Sequence, residues 1–311
     1  MTHSLRASPG FALAVLITLG LAGFNGLMVA LMASGLASLL PGPFAQMTHF
    51  TEANHRTHDL TFGFIFLPAI VGMLAQLRRP SKNVAGQLMA LTPWVGLLLT
   101  AVLTFVLTSN AGVLGPQWIG VAAFTYLATT LHPAGRDLFR SFSVSRVNWV
   151  MLALVIIAAV PLLAFASTNI GLQGTVRDEH ALAGHYGFMA AFAFTVIGVG
   201  LLASLRPDGW RLTAWVAGLL PALLGLTSVV YPDASSSLNL VWALATIAWG
   251  VGFVTAAELT KGVTPKDDAR VRPTEDRPPG TPLWVKASGF IVIGLASLFF
   301  IIGAGAGLHG P

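Results

Sequence analysis

Nine stretches of roughly twenty apolar residues run through this chain, each the length that a helix needs to cross the hydrocarbon of a bilayer. Nothing constrains the fold more. A transmembrane barrel would instead show segments of about ten residues alternating apolar and polar, and no such alternation is present. With 55% hydrophobic and 9% charged residues over 311 positions, too little polar surface exists to cover a soluble globule. The reading is an all-α polytopic membrane protein with the lipid bilayer as its solvent. Spans are expected at 10–40, 59–77, 86–108, 114–131, 147–168, 182–205, 212–231, 237–258 and 283–307.

Orientation follows from the seventeen Lys and Arg residues. With the N-terminus cytoplasmic, fifteen of them fall inside, including Arg78, Arg79, Lys82, Arg136, Arg140, Arg146, Arg206 and Arg211. Only Arg56 and Arg177 fall outside, as the positive-inside rule requires. An odd number of spans then puts the C-terminus outside, in the inner (plasma) membrane. The net charge of +5 is therefore a topology signal, and no nucleic-acid partner is implied.

Spacing suggests a duplication. Gly72, Leu77-Arg78 and Leu91-x-Pro93 recur 128 residues later as Gly200, Leu205-Arg206 and Leu219-x-Pro221. The expected organisation is a first four-helix repeat at 1–135 and a second at 136–259. A proline-rich, charged cytoplasmic linker follows at 260–282, then a ninth transmembrane helix at 283–311. Four spans per copy is an even number, so the two repeats would be parallel and related by an axis along the membrane normal. The ninth helix ends in Gly303-Ala-Gly-Ala-Gly307, a small-residue stripe that allows close backbone contact and so an oligomer.

Two short polar stretches stand out against this background. Glu52 to Asp59 reads E-A-N-H-R-T-H-D and Arg177 to Tyr186 reads R-D-E-H-A-L-A-G-H-Y, each just before a long apolar run. Between them they hold four of the eight histidines, four of the twelve carboxylates and both outward arginines. The parallel repeat puts both on the same outer face. At about 100° per residue, Glu52, His55 and Asp59 share a helix face, with His58 about 60° from His55. His185 shares a face with Asp178, whereas His180 points about 140° away from His185 on an unbroken helix.

Zero cysteines exclude thiolate metal sites, iron–sulfur clusters and disulfides, so any cofactor must be held by His, Met, carboxylate or backbone. Imidazoles at the end of an apolar bundle suit a haem iron, a copper or a zinc ion, with carboxylates orienting their second nitrogens. His58 and His185 are the best matched ligand pair, with His55 and His180 in reserve. Arg56 and Arg177 would serve haem propionates. His132, in Leu131-His-Pro-Ala-Gly135, reads as a cationic cap on the fourth helix.

Glu52-x-x-His55-Arg56 leading into a helix resembles the E-x-x-H-R signature of heme A synthases, which are duplicated four-plus-four helix proteins holding haem through paired histidines. The resemblance covers the layout of residues 10–258. It implies that His55 is a haem-ligating or catalytic histidine, that Glu52 is its acidic companion and that His185 is the sixth-helix ligand. The family's further histidines and its outer-loop cysteines have no counterpart, since the matching helix ends carry Gly115-Pro-Gln-Trp118 and Ser237-Leu-Asn239. That leaves a single haem b between the halves, or none.

The functional expectation is a haem b protein that passes electrons, or does redox chemistry, with a quinone or a redox partner protein. From another class, the alternative is a small-solute transporter or accessory membrane subunit with structural histidines. Pro93 and Pro221 at matching positions keep a carrier in view.

Overall fold

The structure, a computed structural model, describes residues 9–33, 53–109, 116–135, 138 and 142–260. Every regular element among them is helical. In chain order they are α1 (Pro9–Ala33), α2 (Arg56–Gln76), α3 (Val84–Thr108), α4 (Pro116–Thr130), α5 (Trp149–Thr175), the single turn α6 (Glu179–Leu182), α7 (His185–Leu205), α8 (Trp210–Val230) and α9 (Leu240–Leu259). Seven of these are long and apolar enough to cross a membrane, whereas α4 spans 15 residues. The chain is thus a multi-pass membrane protein by length and composition. The expected linker beyond Thr260, the ninth membrane helix, Glu52, and the last part of the first span lie outside the described residues.

Helix ends follow local chemistry. Asn148 and Asn239 cap α5 and α9, their side-chain oxygens accepting from the amides of Met151 (3.2 Å) and Trp242 (3.1 Å). Arg206 closes α7 in the left-handed conformation at φ 52°, its amide returning to the Ala203 carbonyl. Helix α5 runs seven residues beyond its expected end at 168, to Thr175. Asn169 and Gln173, beyond that expected end, both turn inward and are buried.

The centre of the bundle is α7, of whose apolar window 78% is enclosed by the protein, against 22% for α5 and α9. It packs on α5, α3, α8 and α2. In turn α1 lies on α2 and α4, while α5 lies on α7 and α9. Where helices come closest, glycine is required: a Cβ on Gly72 would overlap the Gly86 carbonyl of α3, and one on Gly218 would sit 2.5 Å from the Gly250 carbonyl of α9.

The end of the bundle that holds the α2–α3 and α7–α8 connections is laced by charge. Arg146 meets Asp208 at 2.9 Å and Arg211 meets Glu258 at 2.9 Å, while Arg206 lies over the Trp210 ring at 4.3 Å. The opposite end holds the beginnings of α2 and α7, and with them the histidines.

A four-histidine cluster as candidate metal centre

His55 closes a short 3-10 turn (Ala53–His55) that leads into α2, and His58 lies in the first turn of α2 itself. The α8–α9 loop holds this turn. The Ser235 amide donates to the Asn54 carbonyl at 2.9 Å, the Ser235 hydroxyl donates to Asn54 Oδ1 at 3.0 Å, and the Thr57 and Ser237 hydroxyls meet at 2.7 Å. These bonds join residues about half a chain apart, so they exist only once the bundle is assembled.

The other two histidines come from the α6–α7 corner. Asp178 caps α6, its Oδ1 accepting from the Ala181 amide at 2.8 Å, while its Oδ2 accepts from the Tyr186 hydroxyl at 2.9 Å. Burial alone pushes the Asp178 carboxyl up. Those two hydrogen bonds and the neighbouring His180 outweigh it, and together hold the carboxyl below its ordinary range. Gly184 then takes φ 80°, which breaks the helical phase between His180 on α6 and His185 at the first position of α7.

That break corrects the sequence-based expectation that His180 points away from His185. On a continuous helix it would, but the two rings lie 5.8 Å apart. Gln173 of α5 braces the corner from behind, donating to the Ala181 carbonyl at 2.7 Å and accepting from the Gly187 amide at 3.0 Å. Its role is invisible in sequence beyond one hint: it falls four residues after Asn169 in an otherwise apolar run.

His55, His58, His180 and His185 are all buried and lie together. Their six ring-to-ring separations span 4.4 to 5.8 Å: His55 is 5.4 Å from His58, 4.4 Å from His180 and 5.5 Å from His185. His58 is 4.8 Å from His180 and 4.7 Å from His185. Four points with six similar separations form a tetrahedron. Four imidazoles bound to one ion at about 2.0–2.1 Å place their ring centres about 5 Å apart, which is the size of this cluster. One ring nitrogen from each histidine lies within 4.8 Å of the others, and ligation would draw these nitrogens in to about 3.3 Å.

Carboxylates face three of the four rings. His55 Nε2 lies 3.5 Å from Glu179 Oε1, His180 Nδ1 lies 3.7 Å from Asp178 Oδ2, and His185 Nε2 lies 4.0 Å from Asp59 Oδ1. At these separations the carboxylates stand beside the rings without hydrogen-bonding them, near enough to orient a ligand's second nitrogen if the site tightened around an ion. His180 Nε2 is buried with no hydrogen-bond partner, as is Asp59 Oδ2. A carboxylate only 3% exposed costs several kcal/mol to keep charged without compensation, and a cation among the four rings would supply it. Beneath the cluster, one turn further into α2 and α7, the Phe62 and Phe188 rings pack at 4.6 Å as an apolar floor.

The residues do not fit a haem. In a tetrahedral arrangement the plane bisecting any two rings contains the other two, and a bis-histidine haem needs that plane for its macrocycle. This geometry gives no support to the haem b expectation for His58 and His185, nor to the propionate role expected of Arg56 and Arg177. Arg177 is exposed and Arg56 half-buried at this end.

His132 stands apart, at the far end of the bundle. It is not a cationic cap. Burial pushes its pKa down to about 4, a nearby Pro80 carbonyl offsetting only part of this, so the ring is neutral at pH 7. Its Nδ1 accepts from the Ala134 amide at 3.1 Å, and its Nε2–H donates to Gln76 Oε1 at 3.1 Å. No protein-family model, no curated protein and no solved structure matches this chain.

Proposed function

We propose that this protein is a membrane metalloprotein whose activity centres on one transition-metal ion, copper or zinc, held by His55, His58, His180 and His185 at the outer end of the bundle. The observation that carries the reading is the tetrahedral set of four buried imidazoles, drawn from two segments more than 120 residues apart. Imidazole ligands without sulfur suit zinc and copper, and a tetrahedral set of four leaves no coordination position open for a substrate water. Hydrolysis at the ion is therefore disfavoured. Copper would supply one-electron chemistry toward a quinone or a partner protein, and zinc would join the two segments without redox activity. The residues' part is the same for both: three carboxylates orient the rings, the aromatic floor excludes water from below, and Asp59 balances the charge.

Two further parts of the reading rest on pattern. The contacts of α1 with α2 and α4 parallel those of α5 with α7 and α9, which supports a duplicated four-helix unit with α2 and α7 at its centre. The positive-inside distribution supports the histidine end as the outer one. Elemental analysis of the detergent-purified protein tests the function: wild type should carry about one copper or zinc per chain, and a variant with all four histidines changed to alanine should carry none. A metal-free wild type that also takes up neither ion would overturn the proposal, and the transporter or accessory-subunit reading would take its place.

A further inference from the structure

Resting on that metal reading, we infer that the ion this cluster selects is monovalent copper, and that the site holds it against oxidation to Cu2+. Geometry carries the first half of the argument. Cu+ and Zn2+ have filled d shells and impose no shape of their own, so both accept a tetrahedral set of rings 4.4 to 5.8 Å apart. Cu2+ instead prefers a tetragonal arrangement of nitrogen and oxygen ligands. To reach it the four rings would have to flatten toward a plane, the His55–His58 pair turning against the His180–His185 pair. Packing opposes that turn. Beneath the cluster the Phe62 and Phe188 rings meet at 4.6 Å and hold α2 against α7. Ser235 and Ser237 tie down the His55 turn, and Gln173 braces the α6–α7 corner.

Charge carries the second half and separates Cu+ from Zn2+. Four imidazole ligands are neutral, and the cost of enclosing an ion grows with the square of the charge left unbalanced. Among the described residues Asp59 is the one buried carboxylate, and it stands 4.0 Å from His185. Asp178 and Glu179 keep 38% and 58% of their side chains exposed, so water screens them. In the enclosed part of the site, therefore, Asp59 balances Cu+ in formal charge, whereas Zn2+ or Cu2+ leaves one positive charge over. Oxidation of bound Cu+ would remove one electron and create that surplus, with no proton or ligand exchanged to relieve it. Shape and charge thus oppose Cu2+ together.

Competition titrations of metal-stripped protein test this, with bicinchoninate against Cu+ under anaerobic conditions and nitrilotriacetate against Cu2+ and Zn2+. The dissociation constant for Cu+ should lie about 100-fold or more below that for Cu2+. Excess Zn2+ should not displace Cu+, and copper-loaded protein kept in air should show no paramagnetic resonance signal, since Cu+ has no unpaired electron. Gln173→Leu keeps all four ligands but frees the corner, and should narrow the ratio of the two copper constants about tenfold by allowing the set to flatten. A brace that matters only to the fold would weaken both ions alike and leave that ratio unchanged, which overturns the geometric half of the inference. Wild type that binds Cu2+ as tightly as Cu+, or gives up Cu+ to Zn2+, overturns the choice of ion and leaves the metal centre standing. Wild type that binds none of the three ions overturns the metal centre together with it.

Discussion

At the scale of single residues, the four imidazoles should be unequal only in how they are held. His58 and His185 come from regular helix starts that packing fixes in place, so His58→Ala or His185→Ala should abolish stoichiometric metal binding, read by elemental analysis. Asp59 is not one of the four imidazoles but faces His185, and on the metal reading Asp59→Asn should weaken affinity roughly 10–100-fold without changing stoichiometry. A competition titration with a chelator distinguishes the two results.

His132 offers a test remote from the cluster. Its pKa is about 4 in the fold and about 6.5 in the unfolded chain, so the unfolded state binds more protons between these values. The sign follows: this contribution to stability is intact above pH 6.5 and is lost as pH falls toward 4, by up to about 3 kcal/mol. His132→Ala should flatten the pH dependence of unfolding over that window, lower stability at pH 7 by about 1–3 kcal/mol through the stranded Gln76 and Ala134 partners, and leave metal content unchanged. An equal pH slope in wild type and variant would count against the buried neutral ring.

At the scale of elements, the packing of α8 on α9 rests on glycine at one position and not at its neighbour. A Cβ on Gly250 would overlap the Gly218 carbonyl, whereas nothing lies within 4 Å of one on Gly252. Gly250→Ala should therefore destabilise by about 1–3 kcal/mol through overpacking. Gly252→Ala should stabilise by about 0.5–1 kcal/mol, because alanine loses less backbone entropy in a helix. Denaturant titration of both variants in one detergent decides it, and two changes of the same sign would contradict the helix contact. The α5–α7 contact makes a parallel case through Gln173. Its replacement by leucine strands the Gly187 amide and leaves the Ala181 carbonyl only its bond from the Gly184 amide, and should loosen metal binding while every ligand is retained.

At the scale of the whole molecule, the cluster joins the start of α2 to the α6–α7 corner, so a bound ion stabilises the assembled bundle and not the unfolded chain. Zn2+ at 100 times its dissociation constant should add about 2.7 kcal/mol, seen as a higher thermal midpoint in wild type and no shift in the four-alanine variant. Orientation is testable because the chain has no cysteine. With an impermeant thiol reagent outside intact cells, Asp233→Cys in the α8–α9 loop should react and Ser81→Cys in the α2–α3 loop should not. The reverse pattern would invert the topology and place the metal centre on the cytoplasmic side.

What the sequence determined by itself was whatever depends on solvent and on local periodicity. Long apolar runs must be satisfied internally in a bilayer, so membrane helices followed from composition. The concentration of His, Asp and Glu before two of those helices likewise marked where a site would form. Tertiary structure alone decided the geometry of that cluster. Gly184 breaks the helix phase and turns His180 back toward His185, Gln173 braces that corner, and Ser235 and Ser237 tie down the His55 turn from the other end of the chain. Each of these is a contact between segments distant in sequence, and no periodicity encodes it. For that reason a pair of histidines suited to haem in the sequence becomes, in three dimensions, a tetrahedron of four with room for a single ion.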